Sequence, residues 1–128
     1  MALILNPKIM LVDDERLVRD TTKAFLYKLG FDNIIEASDG MVAWLRLKHE
    51  QVDLIISDWD MPTLNGLEFL KKIRSDEKLK KIPFLILTAH GEKEWVIQAV
   101  QAGATNYIVK PVTRKALDEK IKPILRPG

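Results

Sequence analysis

Short apolar runs alternate with amphipathic segments along the chain, and this alternation restricts the fold more than any other feature of the sequence. Five runs have the length and composition of strands that a parallel sheet buries on both faces. They are Lys8 to Val12, Ile34 to Ala37, Leu54 to Ser57, Phe84 to Thr88 and Tyr107 to Val109. Each run is followed by residues at helical spacing, so the sequence predicts an α/β fold.

Five helices are predicted to follow these strands. The residues expected to face the sheet from the first three helices are Leu17, Val18, Thr21, Phe25, Leu26, Leu29, Ala43, Trp44, Leu47, Leu67, Leu70 and Ile73. Gly30 ends the first helix, and the third and fourth helices cover Gly66 to Arg74 and Lys93 to Ala102. The last helix begins at Thr113, a predicted N-cap, and is expected to stop or kink near Pro123.

The order of the elements restricts the topology. Right-handed crossovers leave few arrangements for five βα units, and the flavodoxin-like strand order 2-1-3-4-5 is a common one. No linker, repeat or low-complexity tract divides the chain, so a single doubly wound domain is predicted for residues 1–128. Ligands of such sheets bind beyond the carboxyl ends of the strands where the strand order reverses, which here lies between the first and third strands.

Acidic residues follow both strands at this point. Asp13 and Asp14 leave the first strand, and Asp58 leaves the third. Two unit charges about 4 Å apart interact by about 4 kcal/mol at an effective dielectric constant of about 20, so such a cluster requires a proton or a cation. Oxygen ligands without a nearby His or Cys favour Mg²⁺. The alternatives are that Asp13 and Asp14 cap the first helix and that Asp58 forms a turn.

A hydroxyl and a cation end the next two strands. Thr88 is the last residue of the fourth predicted strand, and Lys110 follows the fifth. Each is ordinary alone, because a Thr at a strand end is usually structural and a Lys is usually solvated. Beside the acidic residues they suit a phosphoryl group carried on a carboxylate, since both would offset charge on its oxygens. The pocket is therefore predicted to be a phosphoacceptor site.

Composition excludes several classes of protein. A balance of 20 Lys and Arg against 18 Asp and Glu gives a net charge of +2, which does not fit a nucleic-acid coat protein. The cationic stretch from Lys71 to Lys81 contains no aromatics and is interpreted as a solvated surface. The absence of Cys excludes disulfides and fits a reducing compartment. With no long apolar span or signal-like N-terminus, a cytoplasmic protein that does not insert into membranes is expected.

Four motifs and a helix start follow one another from about Lys8 to Lys122. They are VDDE (Val12 to Glu15), SDWDMPTLNGLEFL (Ser57 to Leu70), LTAHG (Leu87 to Gly91), AGATNYIVKP (Ala102 to Pro111) and the helix start at Thr113. In this order they resemble the response-regulator receiver family, and within it most closely the stand-alone chemotaxis regulators of the CheY type. No motif is decisive alone, but their placement makes the resemblance specific.

The resemblance implies a role in two-component signal transduction. A histidine kinase or phosphotransfer protein would phosphorylate Asp58, and the domain would catalyse only its own phosphorylation and dephosphorylation. The expected Mg²⁺ ligands are Asp14, Asp58, the backbone carbonyl of Asp60 and, through water, Asp13. Thr88 and Lys110 would contact the phosphoryl oxygens, and the Lys110–Pro111 bond would be cis, which proline tolerates.

The resemblance also implies a switch. Phosphorylation would draw Thr88 inward and let Tyr107 fill the vacated space, which reshapes the face made by the fourth helix, fifth strand and fifth helix. This face would bind a downstream protein through Lys93, Trp95, Val96, Tyr107 and Lys120. The alternatives are that Tyr107 is an ordinary half-buried aromatic and that Trp95 folds over a neighbouring loop. A monomer or a weak phosphorylation-dependent dimer is expected.

Two positions depart from the chemotaxis regulators. Asp60 stands where those proteins have Asn, and His90 occupies a position that influences phosphoryl lifetime in the family. His90 is interpreted as an exposed spacer, and the alternative is an imidazole that binds or orients water. Two other functions remain open: a receiver domain excised from a larger regulator or hybrid kinase, and a haloacid-dehalogenase-like phosphohydrolase that uses Asp58 and Asp60. In those hydrolases the paired aspartates follow the first strand, whereas here they follow the third.

Overall fold

A computed structural model describes residues 5–125, in which five parallel strands form one sheet between two layers of helices. The strands are β1 (Ile9–Val12), β2 (Ile34–Ala37), β3 (Leu54–Asp58), β4 (Phe84–Thr88) and β5 (Asn106–Val109). The helices are α1 (Arg16–Lys28), α2 (Gly40–Arg46), α3 (Gly66–Ser75), α4 (Lys93–Gln101) and α5 (Arg114–Leu125). The strand order β2-β1-β3-β4-β5 confirms the predicted fold class. The predicted domain of residues 1–128 extends at both ends beyond the described residues.

The strand register brings the carboxyl ends of the central strands to one edge. Val12 of β1 pairs with Ser57 of β3, so Asp13 and Asp58 follow the paired residues directly. Asp58 pairs in turn with Leu87, one residue before the end of β4. Residues that leave these strands therefore meet at the edge where the strand order reverses.

Two apolar clusters cover the two faces of the sheet. Met10 and Val12 of β1 face the cluster that α2, α3 and α4 complete, with Phe69 of α3 among its fully buried residues. Ile9 and Leu11 face the opposite cluster, to which α1 and α5 contribute. Residues of the central strands β1, β3 and β4 alternate between two buried faces, which explains why these strands have predominantly apolar sequences.

The buried face of α1 differs from the sequence prediction. Leu17 is 81% exposed and Thr21 is exposed, whereas Thr22 is fully buried beside Leu26. Thr22 and Leu26 are four residues apart and share one helix face, while Leu17 and Thr21 lie on an adjoining face. That adjoining face borders a surface cavity lined in part by Pro111 and Val112. Spacing alone predicted the helix correctly but not its rotation about its axis.

The last helix continues past Pro123, so the expected stop does not occur at that residue. Pro123 lies inside α5, which extends to Leu125. Ile121 and Leu125 are fully buried, and the burial of such side chains offsets the hydrogen bond that proline removes. The predicted cap is confirmed, because the hydroxyl of Thr113 accepts a hydrogen bond of 3.1 Å from the Ala116 amide. None of the helices among residues 5–125 combines the length and apolar character that crossing a membrane requires.

Candidate functional site

Three carboxylates meet at the carboxyl edge of the sheet. Carboxylate oxygens of Asp13, Asp14 and Asp58 all lie within 4.8 Å of one another. Asp13 and Asp58 are buried, whereas Asp14 is exposed to solvent. The structure thus brings together the three acidic residues that the sequence placed at the switch point.

Lys110 provides the local counter-charge. Its Nζ lies 3.0 Å from Oδ1 of Asp58 and 3.6 Å from Oδ2 of Asp13. Both oxygens are buried and have no well-aligned hydrogen-bond donor among the described residues. The main chain of Lys110 is fixed by a hydrogen bond of 2.8 Å from its amide to the Thr88 carbonyl, and the Lys110–Pro111 bond is cis as expected.

Burial dominates the electrostatics of the acidic cluster. Desolvation raises the pKa of Asp13 to about 6, although the hydrogen bond that its Oδ1 accepts from the Glu15 amide opposes the shift. Burial likewise raises the pKa of Asp58, against the opposing effect of Lys110. Burial alone would lower the pKa of Lys110, but its contacts with Asp58 and Asp13 raise it. The cluster therefore holds buried negative charge that one Lys offsets only in part.

The donor set fits Mg²⁺. The three carboxylates offer hard oxygen ligands, and no His or Cys is among them. Asp13 and Asp58 each direct a buried oxygen without a well-aligned donor into the cluster. A divalent cation would relieve the desolvation cost that raises the pKa values of both groups, and the repulsion from neighbouring carboxylates that adds to it.

Protons should compete with Mg²⁺ for this cluster. The pKa of Asp13 is about 6 in the folded chain, so below that pH a bound cation must displace a proton from Asp13. We expect the apparent Mg²⁺ affinity to fall about tenfold for each pH unit below about 6 and to level off above it. Calorimetric titrations of Mg²⁺ between about pH 5 and about pH 7.5 would measure this profile.

Asp13→Asn provides the control for this pH profile. The variant should bind Mg²⁺ more weakly at high pH and show a shallower dependence near pH 6, because the titrating group is gone. An affinity for Mg²⁺ that stays constant from about pH 5 to about pH 7.5 in the parent chain would contradict the assignment. Without Mg²⁺, the free energy of unfolding depends on pH in the opposite sense. Folding raises the pKa of Asp13, so the stability that this group contributes is fully present below its pKa in the unfolded chain. That contribution is lost as pH rises through about 6.

The hydroxyl of Thr88 forms hydrogen bonds within the loop that follows β4. Its Oγ1 accepts a hydrogen bond of 2.8 Å from the His90 amide and donates one of 3.3 Å to the His90 carbonyl. Thr88 itself is buried at the end of its strand. The residue predicted to contact a phosphoryl group therefore bonds to its own loop in this conformation.

The environment of His90 contradicts its interpretation as an exposed spacer. The His90 side chain is 34% exposed, and its ring stacks on Trp95 with centroids 3.8 Å apart. Its Nε2 lies 3.4 Å from Oδ2 of Asp60, whose side chain is 60% exposed. Trp95 in turn contacts Trp59 edge to face at 4.9 Å. Of the two alternatives for Trp95, the structure shows the one in which this ring packs over a neighbouring loop.

The predicted partner-face residues lie on α4, β5 and α5. Tyr107 is half-buried, and the Lys120 ammonium lies 5.4 Å from the centre of its ring. Lys120 also donates a hydrogen bond of 3.2 Å to the side chain of Asn106. Lys93 is exposed and Val96 is half-buried. Tyr107 and Lys120 thus contact each other, and Trp95 packs on Trp59 and His90. The role of these residues in binding a partner stays a prediction.

Two residues that shape the site were missed by sequence reasoning. The Arg19 guanidinium donates a hydrogen bond of 2.6 Å to the main-chain carbonyl of Asp13 and forms an ion pair with Glu36 at 3.3 Å. Gly66 begins α3 so close to β3 that an added Cβ would lie 2.2 Å from the Asp58 carbonyl oxygen. In the sequence, Arg19 looks like any solvated basic residue near the start of a helix. Its contact with Glu36 becomes apparent only when β2 is placed beside β1.

The chain matches a known family over most of its length. Residues 9–122 match the profile described as the response regulator receiver domain. The chemotaxis protein CheY-3 of Vibrio cholerae is 45% identical over 119 residues, which cover 93% of this chain and 92% of that protein. A chemotaxis protein CheY homolog of Campylobacter jejuni is 43% identical over 122 residues, 94% of each chain.

Solved structures share the fold. The structure of a putative response regulator from Chloroflexus aurantiacus superposes with a TM-score of 0.89 at 28% identity and covers 94% of this chain and 98% of that one. The receiver domain of a sensor histidine kinase from Pseudomonas aeruginosa superposes with a TM-score of 0.85 at 26% identity, over 94% and 98% of the two chains. That domain holds a magnesium ion coordinated in its active-site cleft.

Proposed function

The chain belongs to the receiver-domain family of two-component response regulators, and from this premise we propose that it accepts a phosphoryl group on Asp58 with the help of Mg²⁺. The observation that carries the proposal is the buried pair of Asp13 and Asp58, each with an oxygen near the ammonium of Lys110. A histidine kinase or phosphotransfer protein serves as donor. In this proposal the chain acts as a single receiver domain.

Asp58 acts as the nucleophile of the proposed reaction. One of its carboxylate oxygens attacks the phosphorus of a phosphohistidine, so that an O–P bond forms as the N–P bond breaks. The imidazole leaves with the electron pair of the broken bond and takes up a proton. Lys110, already 3.0 Å from Asp58, offsets charge on the transferred group, and Thr88 donates its hydroxyl to one of the phosphoryl oxygens.

The residues that would hold Mg²⁺ are Asp14, Asp58, the backbone carbonyl of Asp60 and, through water, Asp13. When bound, Mg²⁺ neutralises the carboxylates and stabilises charge on the phosphoryl oxygens. Arg19 fixes the main-chain carbonyl of Asp13 from the other side and so orients the acidic loop. The exposure of Asp14 leaves one side of the cluster open to an incoming cation.

Phosphorylation changes a surface that binds a downstream protein in this proposal. The Thr88 hydroxyl leaves its bonds with the His90 main chain to reach the phosphoryl group, and Tyr107 moves into the space that it vacates. Lys120 contacts the Tyr107 ring, so the new position of Tyr107 also changes α5. Lys93 and Val96 of α4 complete the face.

Mass spectrometry of the intact chain tests the proposal. Incubation with Mg²⁺ and a small phosphodonor such as acetyl phosphate should add one phosphoryl group per chain. Chelation of Mg²⁺ should prevent the addition, and hydroxylamine should remove the group, as expected for an acyl phosphate. An unchanged mass, or steady hydrolysis of unrelated phosphate esters, would contradict the proposal and favour the phosphohydrolase reading.

A further inference from the structure

Three aromatic rings contact one another in sequence beside the loop that follows Asp58. Trp59 directly follows Asp58 and is buried, with its amide bonded to the Leu87 carbonyl at 2.9 Å. Trp95 of α4 contacts Trp59 edge to face at 4.9 Å, and the His90 ring lies parallel to Trp95 at 3.8 Å with an interplanar angle of 11°. We call Trp59, His90 and Trp95 the aromatic cluster.

The aromatic cluster contains His90, the residue whose main chain hydrogen-bonds to the Thr88 hydroxyl. His90 donates its amide proton to Oγ1 of Thr88 and accepts the hydroxyl proton through its carbonyl. The hydroxyl therefore uses both its donor and an acceptor position on one residue. Trp95 covers one face of the ring of this same residue.

A polar contact connects His90 to the loop that follows β3. Nε2 of His90 lies 3.4 Å from Oδ2 of Asp60, two residues after the proposed phosphoacceptor. The aromatic cluster and this contact together hold the loop after β4 to the loop after β3. Trp95 is the member that α4 contributes, so a series of contacts extends from α4 through His90 to the Thr88 hydroxyl.

We propose that Trp95 is a positioning residue that keeps the Thr88 hydroxyl bonded to His90 and so opposes phosphorylation of Asp58. The inference rests on the proposed function, because it concerns the cost of moving Thr88 toward a phosphoryl group. A phosphoryl group on Asp58 must compete with two hydrogen bonds for this hydroxyl, and the stack on His90 stabilises both. Weakening the stack should therefore favour the phosphorylated state.

Hydrogen exchange tests the positioning role without any phosphate. Trp95→Leu keeps an apolar side chain at this position but removes the ring that stacks on His90. We expect the His90 amide proton of this variant to exchange about two- to tenfold faster than in the parent chain. Trp95→Phe retains an aromatic ring and should restore most of the protection. Ile97→Ala, at a residue of the same helix that is 42% exposed, is the matched control and should leave His90 exchange unchanged.

Phosphorylation at limiting donor tests the consequence. Trp95→Leu should reach a given phosphorylated fraction at an about two- to tenfold lower acetyl phosphate concentration, with unchanged Mg²⁺ affinity, and Trp95→Phe should lie near the parent chain. If the parent chain accepts no phosphoryl group, the proposed function fails. If it does, but Trp95→Leu matches it in both His90 exchange and donor dependence, the positioning role fails. Equal effects of Ile97→Ala and Trp95→Leu would also overturn it.

Discussion

Asp58→Asn is expected to accept no phosphoryl group from acetyl phosphate while folding as the parent chain does. The amide keeps the shape of the carboxylate but lacks the nucleophilic oxygen, so no acyl phosphate forms. Stability should be retained or raised, because burial already raises the pKa of Asp58 and the neutral amide avoids that desolvation cost. Intact mass after incubation with donor and Mg²⁺, together with a thermal midpoint, would measure both effects.

Asp60→Asn is the matched control for Asp58→Asn. It removes one carboxylate from the same loop and retains the backbone carbonyl proposed to bind Mg²⁺, so the phosphoryl group should still be added. Asp60 is 60% exposed and its carboxylate contacts His90, which places it outside the predicted nucleophilic step. A phosphoryl group on Asp58→Asn, or its loss in Asp60→Asn alone, would contradict the assignment of the phosphoacceptor.

The fold could be predicted from the sequence wherever burial determines the pattern. The three central strands β1, β3 and β4 are buried on both faces, so their apolar runs mark them almost to the residue. Details that depend on tertiary packing could not be predicted. The rotation of α1 buries Thr22 and exposes Leu17, and the continuation of α5 through Pro123 depends on the burial of Leu125. Neither depends on local sequence alone.

The candidate site likewise has features that the sequence predicts and features that it does not. Asp13, Asp58 and Thr88 leave adjacent parallel strands, so topology alone places them at one edge. The resemblance to receiver domains supplied their roles, which stay predictions. The stack of His90 on Trp95 was not foreseen, because it depends on side-chain conformations in a loop that carries no periodic pattern. The contact between Arg19 and the Asp13 carbonyl was missed for a different reason: Arg19 lies in α1, where the helical pattern does not distinguish it from a solvated cation.

Gly66→Ala is expected to lower both the stability and the Mg²⁺ affinity of the chain. A Cβ at Gly66 would lie 2.2 Å from the Asp58 carbonyl oxygen and 2.8 Å from the Trp59 Cα, and both are backbone atoms that cannot rotate away. The Gly66 amide also bonds to the Trp59 carbonyl at 2.8 Å, so α3 cannot move without breaking this contact. We expect a loss of about 3 kcal/mol, which lowers the thermal midpoint by roughly 10 °C.

Gly91→Ala separates this steric effect from the general cost of replacing a glycine. A Cβ at Gly91 would meet only the side chain of Val109, at 3.2 Å, and Val109 is partly exposed and can shift. We expect a change in stability within about 0.5 kcal/mol. Gly66→Ala should also weaken Mg²⁺ binding at least about tenfold, because displacement of the β3–α3 loop moves Asp58 and Asp60 away from a geometry that Mg²⁺ requires to be nearly octahedral. Equal thermal midpoints for the two variants, with unchanged Mg²⁺ affinity, would show that the loop accommodates the methyl group and does not depend on this close approach.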